Sequence, residues 1–355
     1  MAPVSARVAH SLDVTDITPI WLSTFPNIKL DANDPIQMSS PKIWFGKTCI
    51  FYICSVLTFS VEVTGSSVGL GRCTVEHLLA QGEKVVATLR KPSDISDLSA
   101  KYPASQLLVV KLDVTSPADI KAAFAKAIET FGRVDVVYNN AGYGPVGEIE
   151  GTPDDVAREV FEVNFWGLTN VACEAIRVFR DVNKPSGGRL LQASSMAGVS
   201  GLPGIGFYSA RWVFPNSFLS SYHRLMRSHS KHAVEGISEA LSKELHPSWN
   251  IKVSILVIGG FETRMTSSKS LSTVPVHPAY TAPDSVTKFV RGSLAGPKEQ
   301  GDPKKAAREI RNIAYDDTVG LRIPLGLDAI AVVSRQVEAI QKDVAAVGRW
   351  SVDLK

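Results

Sequence analysis

The stretch VTGSSVGLGR, residues 63 to 72, sets Gly65, Gly69 and Gly71 in front of an apolar stripe made by Val75, Leu78 and Leu79. A glycine turn that feeds a helix N-terminus offers backbone N–H groups and the positive end of the helix dipole to a pyrophosphate, and glycines let it come close. A glycine triplet alone is weak evidence, because in an α/β protein it can be simply a tight turn. The strand-like KVVATLR (84–90) follows at the spacing of a dinucleotide-binding unit and weighs against that alternative. At its end, where an acid would take a ribose 2′-hydroxyl, stand Leu89, Arg90 and Lys91. Bases there suit a 2′-phosphate and favour NADP over NAD, the other reading being a solvated charge pair.

Outward from this loop, short β-branched runs alternate with longer amphipathic ones, the pattern of βαβ units on a parallel sheet. Further strands are expected over 106–114, 134–139, 189–194 and 251–258, apolar on both faces as doubly covered strands are. Ser116 and Pro117 read as N-cap and first residue of a helix whose stripe is Ile120, Phe124, Ile128 and Phe131, with Gly132 as its stop. Thr152 and Pro153 repeat that opening for a long helix reaching about Asn183. Past 258 lies a stretch rich in Pro and Gly, then a helix opened by Asp302 and Pro303, and a last helix from about Leu327. One doubly wound, Rossmann-type α/β domain of three layers fits better than two domains. Residues 1–37 read as an unstructured extension, and Met38 as a possible alternative start.

Bulk properties narrow the function classes. The 355 residues are 45% hydrophobic and 21% charged, an ordinary globular balance, and a net charge of +3 without a Lys/Arg block gives no reason to expect nucleic acid or acidic lipid. Cys49, Cys54, Cys73 and Cys173 stand apart, and neither they nor the histidines show metal-ligand spacing. A reduced, cytoplasmic protein is the plain reading. The apolar run from Cys49 to Val61 falls short of the roughly 20 residues that a membrane-spanning helix needs, although it could lie in an interface.

With TGSSVGLG, NNAG (139–142), ASSMAG ahead of a tyrosine, and YSA followed later by SK, all in order, the chain resembles the short-chain dehydrogenase/reductase family from residue 38 onward. The resemblance implies a nicotinamide cofactor, a small-molecule substrate, a possible homo-oligomer, and a catalytic tetrad of Ser195, Tyr208, Lys231 and Asn164. Ser195 precedes Tyr208 by thirteen residues, the family's interval. It also implies cofactor contacts from Gly65, Ser67, Gly69, Leu70, Gly71, Arg90, Asn140, Ala141, Gly142, Tyr208, Lys231 and Thr263, with Asp113 at the adenine. GDPKKAA near 301 resembles members that act on hydrophobic alcohols and ketones. One departure is IGGFET, where Ile258 replaces the family's proline while Gly259 and Thr263 remain. The chemistry agrees with these residue types. Reduction of a carbonyl needs a proton at the developing alkoxide, and a Lys ammonium beside a phenol lowers a pKa that is otherwise about 10.

Two interruptions complicate that picture. Tyr208 and Lys231 should be i and i+4, yet 23 positions separate them; without residues 211–229 the chain reads YSASKHAVEG. The inserted RWVFPNSFLSSYHRLMRSH has a proline, no stripe continuous with its flanks, and at Tyr222 a phenol followed at +4 by Met226. Likewise, without residues 46–62, SPKIWF runs straight into VTGSS; as written, Glu62 falls in the middle of a central strand, where an unpaired carboxylate is costly. Both segments can be read as retained introns translated in frame, with surface insertion as the alternative. The expectation is an NADPH-dependent oxidoreductase acting on a carbonyl or secondary alcohol of a hydrophobic small molecule. In the chain as written, turnover is expected to be weak, and the rival is a catalytically impaired dinucleotide-binding protein.

Overall fold

The computed structural model describes residues 58–207, 230–263, 273–295 and 300–350, with 352 and 354. Tyr208 and both interruptions, apart from residues 58–62 of the first, lie outside these residues, as does the extension over 1–37. Seven strands form one wholly parallel sheet: β1 (Ser60–Thr64), β2 (Lys84–Leu89), β3 (Leu107–Lys111), β4 (Val136–Asn139), β5 (Gly188–Ser195), β6 (Ile251–Ile258) and β7 (Arg322–Leu325), in the order β3-β2-β1-β4-β5-β6-β7. Strand order reverses between β1 and β4, and in open α/β sheets the crevice at such a point is where ligands bind.

Helices cover both faces because the strands are apolar on both. On one side α1 (Gly69–Ala80) and α8 (Pro303–Tyr315) bury Val75, Leu78, Leu79 and Ile310 against Val61, Val63 and Val85. On the other, α3 (Pro117–Phe131) and α5 (Leu168–Arg177) bury Phe124, Val171 and Ile176 against Val86, Val137 and Leu190. Ser116 caps α3 by accepting from Asp119 N, and Gly132 ends it in the left-handed region, as the sequence implied. The long helix opens one residue later than expected, with Pro153 as cap and Asp154 first in α4 (Asp154–Phe161); it runs through π-helical turns at Glu162–Gly167 and Val178–Val182, on either side of α5. The remaining helices are α2 (Ser96–Lys101), α6 (Ser230–Glu244), α7 (Val286–Ala295) and α9 (Leu327–Val347).

β7 is an element the sequence reading passed over. Four residues, one of them Pro324, carry little strand signal, and proline is tolerated there because β7 is an edge strand that pairs with β6 alone.

Glu62 lies where the sequence placed it. It sits in β1 between Val86 of β2 and Val137 of β4, fully buried, and neither carboxyl oxygen has a hydrogen-bond partner. Burial, reinforced by the nearby Glu174 carboxylate, pushes its pKa up to about 8.

Candidate functional site

At the carboxyl ends of β1, β2, β4, β5 and β6 lies a cleft of about 700 Å³. Gly65 and Gly69 have φ of +69° and +60°, which L side chains rarely adopt. At Gly71 a Cβ would stand 2.3 Å from the Gly65 carbonyl oxygen, so the turn closes only with glycine there. Ser67, Gly69 and Leu70 line the cleft beside Arg90 from the end of β2. Arg90 and Lys91 are exposed.

Thr64 ties this turn to the segment after β4. Its hydroxyl accepts from Asn140 N and Ala141 N, both at 2.9 Å, while the Asn140 amide donates to Thr64 O at 2.9 Å. Asn139 is held in turn by Leu168 O (2.8 Å) and Gln192 Oε1 (2.9 Å). Asp113 faces the cleft, and its carboxylate is kept below the usual range by the Thr115 backbone N–H and hydroxyl, at 3.0 and 2.7 Å.

The deeper wall holds two of the four tetrad candidates, Ser195 and Lys231, and a third, Asn164, is buried beside Gly142 and Tyr143. Ser195 ends β5, and its Oγ accepts from Ala197 N at 3.2 Å, capping a short 3₁₀ turn. Lys231 lies in the first turn of α6, 3% exposed, with Nζ donating to Ala193 O at 2.6 Å. Asn164 is fully buried in the first π-helical turn; it accepts from Tyr143 N at 3.0 Å and donates to Tyr143 O at 2.8 Å. Gly142 separates the last two: a Cβ there would stand 3.0 Å from Asn164 Oδ1 and 3.7 Å from Lys231 Nζ.

Burial brings the Lys231 ammonium down to about 8, against the opposing pull of the Glu235 carboxylate one turn along α6. Arg322 of β7 donates to Glu235 at 2.8 Å. The fourth candidate, Tyr208, lies outside the described residues; the phenol that does face the cleft, Tyr143, is pushed up to about 12 by burial and by the adjoining Glu159 carboxylate. That makes Tyr143 a poor proton donor near neutrality. At position i−4 from Lys231 the sequence has Arg227.

The roof comes from the chain after β6. Ile258, Gly259, Phe261 and Thr263 line the cleft. Asp328, at the start of α9, accepts from Gly260 N at 2.7 Å, and a Cβ on Gly259 would meet its carboxylate at 2.1 Å. A largely buried ion pair joins the loop after β4 to the middle of α7: Arg291 donates to Glu148 at 2.7 and 3.0 Å and to Val274 O at 2.7 Å. The sequence reading missed Thr64, Asp328, Glu148 and Arg291. Only Asp328 carried a local signal, an acid in the first turn of a helix.

A family model described as short chain dehydrogenase matches residues 60–229. An uncharacterized oxidoreductase of Schizosaccharomyces pombe is 38% identical over 288 residues, 81% of this chain and 89% of its own length. The chain belongs to the short-chain dehydrogenase family. It is therefore an oxidoreductase of the NAD(P)-dependent kind. A Penicillium decumbens oxidoreductase, calM, is 31% identical over 325 residues, covering 89% of this chain and 94% of that one. Among solved structures, a short-chain dehydrogenase from Streptomyces avermitilis superposes with a TM-score of 0.70 at 29% identity, over 84% of this chain and 98% of the other. The residues fit the family's dinucleotide, because the tight Gly65–Gly71 turn opens the α1 N-terminus toward the cleft and side chains would close it. Among the described residues no helix is long and apolar enough to cross a membrane, and no cluster of potential ligands could hold a metal ion.

Proposed function

We propose that this fold reduces a carbonyl on a hydrophobic small molecule, or oxidises the matching secondary alcohol, using NADP(H). Ser195 and Lys231 on the wall of the cleft that begins at the glycine turn, with Asn164 buried beside Gly142 and Tyr143, carry this reading. When bound, the dinucleotide supplies the hydride. Ser195 Oγ would hold the substrate oxygen, and Tyr208 would deliver its proton. The Lys231 ammonium would stabilise the phenolate and bond the cofactor ribose, while Asn164 fixes the wall behind it. Exposed Arg90 and Lys91, with no acid at the end of β2, support a 2′-phosphate and hence the NADP form. Phe261, Ile258, Tyr143 and Val163 give the cleft an apolar side, which suits a hydrophobic substrate.

A second reading is favoured by one observation, the arginine where the family's pattern puts a phenol four residues before Lys231. In that reading the chain as written binds the dinucleotide with little turnover, and the reductase proper is the product of a message lacking residues 46–62 and 211–229. Fluorescence titration with NADPH beside an absorbance assay over a panel of apolar ketones separates the two. Tight binding with turnover that Tyr208→Phe abolishes supports the first reading. Tight binding without turnover supports the second, and absence of binding refutes both.

A further inference from the structure

We propose that α9 is a self-association element that pairs antiparallel with α9 of a second copy of this chain. Its root is anchored: Ala329 and Val332 are buried against Ile255, Val257 and Met196. Its last third is not, since every residue from Gln341 to Val347 is exposed. Seven helical residues that bury nothing are marginal in water without a partner.

The helix also carries an apolar stripe along its length. Ile330, Val333, Val337, Ile340, Val344 and Val347 recur at alternating spacings of three and four, the a and d positions of a heptad sustained over nearly three turns of the repeat. Val333 is half-buried, and the other five are between 48% and 65% exposed. Such a stripe on a protruding helix is the seam of a coiled coil rather than a face turned to the domain's own core.

Three features select a second copy as the occupant. An antiparallel register matches each a residue with a d residue of the partner (Ile330 with Val347, Val333 with Val344, Val337 with Ile340), so the stripe is complementary to itself. Ser334, Gln336, Gln341 and Asp343 flank the seam, and the charged Arg335, Glu338 and Lys342 fall outside it; in this register Asp343 stands beside Gln336 of the second copy, so like charges do not meet in a symmetric pair. The exposed parts of the five seam residues, with Leu327 at the root and Val352 and Leu354 beyond the helix, come to on the order of 800 Å² per copy, about what a standard interface buries on each partner. Antiparallel pairing also keeps the two domains at opposite ends, because each is rooted at its helix's N-terminal turn. The inference is independent of the substrate and of Tyr208.

The test uses the full chain. Sedimentation velocity at micromolar concentration should show the mass halved by Val337→Glu with Val344→Glu, with NADPH binding and the far-ultraviolet dichroism of the domain unchanged. In a Cys173→Ser background, Val337→Cys with Ile340→Cys should give a covalent dimer on mild oxidation. An unchanged mass in the glutamate variant would overturn the proposal. So would a cross-link that closes within one chain, onto Cys49 or Cys54, because residues before 58 would then be what covers the helix.

Discussion

Replacing Glu62 by leucine should stabilise the protein, and by an amount that depends on pH in a defined way. The carboxyl sits between Val86 and Val137 without a hydrogen-bond partner, and its pKa rises from the usual 4.5 to about 8. The unfolded chain ionises near 4.5 while the folded one keeps its proton until about 8, so the folded state binds more protons across that window and loses stability as pH rises. Each pH unit costs about 1.4 kcal/mol, which reaches roughly 3 kcal/mol at pH 7 and levels off near 5 kcal/mol above pH 8. Glu62→Leu removes both the slope and the buried polar group. Glu62→Gln removes the slope but keeps a polar side chain in the core. Guanidinium denaturation of the three proteins from pH 5 to 9 measures this, with the midpoint of the parent falling with pH and that of Glu62→Leu flat and higher. A parent midpoint independent of pH, or a leucine variant less stable than the parent at pH 8, would refute the reasoning. The same position links to the reading-frame proposal: with residues 46–62 spliced out, Phe45 takes the place of Glu62, and the central strand carries no carboxyl at that position.

Other expectations follow from the cleft. Gly71→Ala drives a methyl into the Gly65 carbonyl and should weaken NADPH binding at least about tenfold, seen by fluorescence titration. Glu235→Gln removes the charge that opposes the fall of the Lys231 pKa, so the alkaline decline of kcat/KM, expected near pH 8 in the free enzyme, should move to lower pH while cofactor affinity at pH 6 holds. Arg291→Met leaves the Glu148 carboxylate buried without its partner and should cost about 3–5 kcal/mol in denaturant, most of it recovered when Glu148→Leu is added.

Much of the fold was legible because its signals are local. The stripe of α1, the Ser116–Pro117 opening and Gly132 stop of α3, and the apolar runs of β2, β5 and β6 each identify their element within a short window. β7 was missed because an edge strand of four residues with a proline has no pattern long enough to show. The opening of α4 shifted by one residue because Thr152 spends its hydroxyl on Glu148 O rather than on a helix N–H. The glycine turn could be located from the sequence pattern, and Ser195, Asn164 and Lys231 from the resemblance; of these the glycine turn, Ser195 and Lys231 line one cleft, and Asn164 is buried beside Tyr143. What surrounds them could not be read: Asp328 on Gly260, Arg322 on Glu235 and Arg291 on Glu148 join residues 68, 87 and 143 positions apart, distances over which a single sequence carries no pairing signal.

The most direct trial of the account compares NADPH-dependent ketone reduction by the full chain with that of a chain lacking residues 46–62 and 211–229, with NADPH affinity measured on both. The account predicts comparable affinity, brisk turnover in the shortened chain that is lost on Tyr208→Phe or Lys231→Met, and weak turnover in the full one. Equal turnover by the two chains, or reduction that survives either substitution, would contradict it.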